Sequence, residues 1–292
     1  MKCISRAIKL CLVLLTLGLP AWNVRAVTVS LQATADATIT DQFPTTPQGS
    51  DTNFNVGTTG PNAGSKSRRA LLKFNLSSVP SNAVVSSAAL TLRVVKTPPT
   101  PTNGVYELRT VLATWSESQA TWMARLTGTP WASTNGGGIG TDYSATISQT
   151  NFITGNGNYT WGSNATMVAD VQGWVADPAS NNGWVLISQL QGVNFSERTL
   201  DAREGATKPS LQVQYTVPAT PPTLTALMPT NSDFQFTFDA ESNRTYTVEW
   251  LGDLVDTNWS GLTNIGSLPS AQAVTVTDPM TETNRFYRVR TP

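Results

Sequence analysis

Residues 68–76 read Arg-Arg-Ala-Leu-Leu-Lys-Phe-Asn-Leu. In an extended chain Ala70, Leu72, Phe74 and Leu76 fall on one side, and Arg69, Leu71, Lys73 and Asn75 on the other. That period of two, with one continuous apolar side, is the pattern of a half-buried strand. It recurs along the chain. Val27, Val29 and Leu31 alternate with polar residues; Leu90, Leu92 and Val94 alternate with Thr91, Arg93 and Val95; Tyr106, Leu108 and Thr110 alternate with Glu107, Arg109 and Val111. GWVLISQL (183–190) and PSLQVQYTV (209–217) follow, the latter placing Leu211, Val213 and Tyr215 on one side. Many short one-sided strands separated by turn residues predict two sheets packed face to face. One helix is expected, over TMVADVQGWVAD (166–177): Val168, Val171, Trp174 and Val175 have helical spacing, and Asp177-Pro178 stops it.

Composition agrees with an all-β chain. Of 292 residues, 43 are Thr, and Gly, Asn, Ser and Pro are plentiful; Thr is β-branched, and the others make turns. Charged residues are 13% of the chain, against roughly 25% in an ordinary domain. The absence of His excludes a Ser-His-Asp triad, a His-ligated zinc and any imidazole acid or base.

Residues 1–26 read as an export signal. Lys2, Arg6 and Lys9 precede a short apolar run, and Val24-Arg25-Ala26 offers a cleavage site ahead of Val27. Both cysteines, Cys3 and Cys11, would leave with it, so the secreted chain is expected to be extracellular and free of disulfides. Removing four basic residues and no acidic one leaves 15 against 19, a net charge of −4, which disfavours nucleic acid as a partner. Membrane insertion is not expected after cleavage, because no later segment is long and apolar enough. The proline-rich 218–222 reads as a linker between a domain at 27–217 and a smaller one at 223–292. In the latter DFQFTF, RTYTVEWL, AVTVTD and RFYRVRT are strand candidates for a small immunoglobulin- or fibronectin-like sandwich.

The order of segments in 27–217 resembles the DNRLRE domain family, carbohydrate-binding module family 96. The pieces are ADATIT (35–40), NFNVG (53–57), SRRALLKFNLSSVPSNAVVSSAALTLRV (67–94), TWSESQATW (114–122), ADVQGWVADPASNNGWVLIS (169–188) and FSERTLDAREGATKPSLQVQY (195–215). The chain has Asn75 where the pattern usually has Asp, and Ala202-Arg203-Glu204 where it often reads Ser-Arg-Glu. The resemblance implies an extracellular, non-catalytic sandwich of jelly-roll type, often attached to enzymes acting on acidic polysaccharides. YTVEWLGDL (246–254), Trp259 and RFYRVR (285–290) resemble small C-terminal β modules of secreted bacterial proteins.

The candidate carbohydrate-binding residues are a basic row and two aromatics. Arg69 and Lys73 share the polar side of one strand, with Lys66 and Arg68 just upstream; Arg93 and Arg109 lie on the polar sides of two others. As neighbours these strands would form one cationic sheet face for uronates or sulfates; otherwise the same residues are cross-strand partners of acids such as Glu107. Trp131 and Tyr143, with Tyr159 and Trp161, lie in a Gly/Asn/Thr-rich stretch where exposed rings would stack on sugars, or else would anchor the loops. Trp115, Trp122, Trp174 and Trp184 read as core, and Arg203 beside Glu204 as an ion pair. No cofactor or catalytic residue is expected. Asp36, Asp41, Asp51, Asn53 and Asn55 are of the kind that holds a structural calcium, but they lack EF-hand spacing, and Asx-rich turns account for them. The expectation is a secreted bacterial protein that binds polysaccharide, preferably acidic, without chemistry. The alternatives are a matrix or adhesion component and, third, a hydrolase or lyase.

Overall fold

The computed structural model describes residues 26–230, 233–279 and 285–291. The expected signal lies outside them apart from Ala26. The chain forms two compact units, Arg25–Pro218 and Ala219–Pro292. The first holds β1 (Val27–Thr40), β2 (Asn53–Thr58), β3 (Ser67–Phe74), β4 (Val84–Lys96) and β5 (Gly104–Thr110), then a short hairpin, β6 (Ala124–Leu126) and β7 (Thr129–Pro130). It continues through β8 (Gln149–Ile153), β9 (Gly157–Trp161), α1 (Ala165–Ala176), β10 (Trp184–Ser188), β11 (Arg198–Asp201) and β12 (Ser210–Thr216).

These strands make two antiparallel sheets joined through β1 and, at the end of β2, through its pairing with β3. The first half of β1 pairs with β12, which pairs with β4; β4 also pairs with β9 and β11, and β11 with β2. Its second half pairs with β3, and the second sheet continues through β10, β5 and β8. The register shift between Ala33 and Ala35 lets β1 turn from one sheet into the other. Between the sheets lies one apolar core, in which Ala70, Leu72 and Phe74 of β3 join Leu90, Leu92, Trp161, Trp184, Leu211 and Val213. One side of the sandwich is closed by amide side chains: Gln149 Nε2 donates to Gly162 O at 2.7 Å and Asn151 Nδ2 to Thr160 O at 3.0 Å. These bonds tie β8 to β9, covering edges that would otherwise be open to pairing.

The other side of the second sheet is also buried. Ala37, Ile39, Leu71, Val185 and Ile187 project from it into a second core, completed by Val111, Trp115, Ala120, Trp122, Trp131 and Tyr143 of the connection over 111–148. Leu71, set between Arg69 and Lys73 on the strand side expected to face water, is fully buried there. Burying a large apolar side chain contributes about 1.5–3 kcal/mol, so these rings suffice to hold a connection with little secondary structure of its own. The helix forms as its spacing predicts. Asn164 Oδ1 caps it by accepting from Met167 N at 2.7 Å, it ends before Asp177, and Met167, Val171, Trp174 and Val175 face the core.

The second unit is a small sandwich of two three-stranded sheets. One orders β13 (Leu224–Thr230), β14 (Asp233–Ala240) and β17 (Gln272–Pro279); the other orders β16 (Ser260–Ile265), β15 (Tyr246–Leu251) and β18 (Phe286–Arg290). Phe236, Phe238, Tyr246, Val248 and Val276 form its core. The four expected strands are present. β13 and β16 add to them, and β16 escapes a period-two reading because most of its residues are exposed.

Candidate functional site

The basic row does not form one face. Arg69, Lys73 and Arg109 lie on the covered side of the second sheet, since Val185 is in register with both Leu71 and Arg109. Arg93, on β4, alternates with core Leu92 and Val94 and so lies on the outer side of the first sheet. Two of these cations are consumed internally. Arg69 donates through Nε to Gln191 Oε1 at 2.9 Å, and through one terminal nitrogen to Gly136 O at 2.9 Å and Gly137 O at 2.7 Å. Its guanidinium lies over the rings of Trp122 and Tyr143, 5.4 and 5.8 Å from their centroids. Arg109 pairs with Glu107 at 2.6 Å and donates to the carbonyls of Ser144 and Ala145. Both arginines fasten the 111–148 connection to the sheet.

Trp131 and Tyr143 are buried beneath that connection. Trp131 Nε1 donates to Thr121 O at 2.8 Å, and Tyr143 OH to Gly136 O at 2.7 Å. Burial also raises the Tyr143 hydroxyl pKa. The expectation of exposed sugar platforms fails for both, because the apolar back of the second sheet claims their rings. Trp161 is likewise core, and Trp115, Trp122, Trp174 and Trp184 are buried as expected. Lys66 and Lys73 are half-buried, and Lys66 lies along Gly64 in the turn between β2 and β3.

Arg68 and Arg93 share a different setting. A groove of about 720 Å³ opens where β2, β11 and the end of β4 meet. Asn53 and Asn55 of β2 and Thr199 of β11 form its floor, and Lys96, Thr97, Pro98 and Pro99 one wall. Phe195, Glu197, Arg68, Gly60, Asn62 and Ala63 complete its lining on the other side. Arg68 pairs with Glu197 and donates to Gln42 Oε1 at 2.6 Å. Thr199 Oγ1 donates to Asn55 Oδ1 at 2.8 Å. Arg93 stands just outside the groove, 4.0 Å from Asp201, with 48% of its side chain exposed. Among the described residues no acid pairs with Lys96.

Arg198 holds one wall of this groove in place. It is fully buried, and among the described residues no carboxylate pairs with it. Its terminal nitrogens donate instead to the carbonyls of Glu197, Thr102, Ile153 and Thr154 and to Asn103 Oδ1. Thr102 in turn donates through N to Phe195 O and through Oγ1 to Asn194 O, both at 2.9 Å.

The residues considered for calcium do not gather. Asn53 and Asn55 lie in β2 rather than in a turn, Asp51 lines the groove, and Asp41 accepts from Ser67 N at 2.9 Å. Asp36 meets two other acids, Glu117 and Glu204, whose carboxylate oxygens and its own lie within 4.8 Å of one another. Arg203 runs among them. It grips Glu117 through Nε at 2.6 Å and a terminal nitrogen at 2.7 Å, reaches Glu204 at 2.7 Å, and donates its backbone N–H to Asp36 Oδ2 at 2.7 Å. Burial pushes the Asp36 carboxyl up to about 7; Glu204 and Glu117 push the same way, and the bond from Arg203 opposes them.

Residues 27–138 match the model of carbohydrate-binding module family 96. The match begins with β1 and includes β2 and β4 of the groove; β11, which completes the floor, lies beyond it. No curated protein matches the chain. The match supports the resemblance carried by the strand motifs over residues 27–138, and with it a carbohydrate-binding role. Within the family 96 match, residue 68 is the one member of the expected basic row that lines the groove. The other groove contacts, Asn53, Asn55, Lys96, Phe195 and Thr199, were legible only in part. Asn53 and Asn55 alternate with core Phe54 and Val56, which marks an outward-facing amide pair, but nothing local sets them beside Thr199.

Proposed function

We propose that this is a secreted, non-catalytic bacterial protein whose first domain holds a polysaccharide chain in the groove between β2, β11 and the end of β4. The observation that carries the proposal is the groove itself, lined with amide, hydroxyl and charged groups on a domain with a family 96 match. Asn53, Asn55 and Thr199 offer donors and acceptors to sugar hydroxyls, Phe195 offers a ring edge, and Arg68 and Lys96 offer charge-assisted bonds. Asp51 and Glu197 balance the two cations, so the groove carries no net charge. The acidic preference expected from the basic row would then rest on Lys96 and Arg93 alone, and the geometry favours a glycan recognised chiefly through its hydroxyls. The non-catalytic reading is supported by the state of the acids: Glu197 is bound by Arg68, and Glu117 and Glu204 by Arg203.

Native affinity electrophoresis of residues 27–292 through gels containing alginate, pectin or neutral glucans tests this, with each polysaccharide checked for shortening. The double substitution Asn55→Ala and Lys96→Glu should weaken retardation by about tenfold or more, the equivalent of one charge-assisted bond, and leave the fold intact, because Lys96 is exposed and half-buried Asn55 gives up only the bond from Thr199. Retardation unchanged in the variant would remove the groove from the account, and chain cleavage would remove the non-catalytic reading.

A further inference from the structure

The two sheets of the first domain treat their outer sides differently. The 111–148 connection covers the second sheet. The first sheet is bare across four adjacent strands, β1, β12, β4 and β9. Thr28, Ser30 and Gln32 of β1 point outward and are exposed, as are Gln212 and Gln214 of β12. On β4, Thr91 and Ala89 are half-exposed and Arg93 exposed; on β9, Asn158 and Thr160 are exposed.

The side chains fall in cross-strand rows. Gln32, Ser210, Thr91 and Thr160 are in register across the four strands, and Ser30, Gln212 and Ala89 form the next row. Such rows repeat about every 7 Å along a strand, with neighbouring strands about 4.8 Å apart. Hydroxyls also bond to one another within the array, Ser30 to Ser210 and Thr91 to Thr160, each at 2.9 Å. Arg93 is the one charged residue among those named, and it leans toward Asp201.

An exposed sheet face ordinarily carries mixed charges that keep it in solution. This one instead presents a near-neutral array of hydroxyls and amides in register, and none of the outward residues named on it is aromatic. Each such group contributes little alone, about 0.5–1.5 kcal/mol net per hydrogen bond. A face of this kind therefore retains a ligand only when many bonds form together, against an extended surface that is itself uncharged and carries hydroxyls in repeating rows.

We infer that the bare face of the first sheet is an adsorption surface for a solid, neutral polysaccharide whose aligned chains expose rows of hydroxyls. The inference rests on the carbohydrate-binding reading of the domain and adds a second surface to it: the groove takes a single chain, and the face takes an ordered array.

The test is depletion of residues 27–292 from solution by microcrystalline cellulose and by an insoluble β-glucan, at low salt and at about 1 M salt, where charge attraction is screened. The variant carries Gln32→Glu, Gln214→Glu and Thr160→Glu, three exposed strand positions no two of which face each other across a strand pair. The parent should adsorb to at least one solid equally at both salt concentrations. The variant should lose adsorption by about tenfold or more while retaining the parent's thermal midpoint and its retardation in soluble-glycan gels. Equal adsorption of parent and variant would overturn the inference, as would a parent that stays in solution with both solids yet is retarded in the gels. A parent that self-associates through this face, becomes monomeric in the variant and adsorbs to neither solid would overturn it in favour of a second copy as occupant. Failure in gels and solids alike would instead bring down the carbohydrate-binding reading beneath it.

Discussion

Gly183→Ala should lower the thermal midpoint of the first domain by on the order of 10 °C. Gly183 precedes β10 with φ +73°, and a β-carbon there would run into the carbonyl oxygen of Leu72 and lie 2.9 Å from its carbon. The turn cannot move freely. Its carbonyl accepts from Val111 N at 2.9 Å, and its N–H donates to Asn181 Oδ1 at 3.1 Å. Asn181 Nδ2 in turn donates to Phe74 O at 2.9 Å. Relieving the clash pulls β10 from β3, and β10 feeds both cores: Trp184 and Leu186 enter the one between the sheets, Val185 and Ile187 the one under the connection. Left-handed backbone strain alone costs about 1–2 kcal/mol for a residue with a β-carbon. With the strand displaced, the total should reach about 4 kcal/mol, at roughly 2–4 °C per kcal/mol in a domain of this size. Gly128→Ala separates the two contributions. Gly128 also has φ +73° but has nothing within 4 Å of the added carbon, so its midpoint should fall by only a few degrees. Equal shifts for both variants in a calorimetric comparison would show that backbone strain, and not the collision with Leu72, sets the cost.

The same strands show what a sequence can and cannot disclose. Alternation places Ala70, Leu72 and Phe74 on one side of β3 because the side-chain period of a strand is a local property. It also places Arg69, Leu71 and Lys73 together on the other side. Whether that side meets water depends on what covers it, and here the cover comes from residues forty or more positions further along. Leu71 was the local hint, an apolar residue between two cations. The basic row fails for a related reason. Arg69 and Arg93 are equally outward on their own strands, but strand order, which no single strand encodes, puts them on opposite sheets. The helix, by contrast, was legible to within a residue at each end, because its cap, its spacing and its stop lie within it. Arg198 went unread although the signal was present. It is in phase with Leu200 and Ala202, both core, and a charged residue in an apolar phase marks either an error of register or a buried hub. The groove it supports joins segments far apart in sequence, which is why its amides could be seen as outward but not as a site.

The pH dependence of stability offers the second large effect, and it centres on Asp36. Its carboxyl titrates near 7 in the fold, against 3.8 for the unperturbed group. Below pH 4 both states hold the proton. Between about 4 and 7 the folded state keeps it and the unfolded chain has lost it, so folding takes up a proton and stability falls as pH rises. Above 7 the fold contains an ionised Asp36 between Glu117 and Glu204, with Arg203 as the one cation of the cluster, and the loss is complete. The slope is about 1.4 kcal/mol per pH unit, and the whole loss is on the order of 4 kcal/mol. Asp36→Asn removes the titration while keeping an oxygen for the Arg203 N–H, and its new amide N–H groups face two carboxylates. Urea unfolding of parent and variant at pH 4, 5.5, 7 and 8.5 should therefore show a gap that widens in the variant's favour up to pH 7 and then stays constant. A gap independent of pH would mean that Asp36 has the same pKa folded and unfolded, Arg203 cancelling what burial and the two glutamates add. A gap that closes as pH rises would mean that the carboxylate itself holds β1 to the turn between β11 and β12, and that the cluster is a clasp strengthened by charge rather than strained by it.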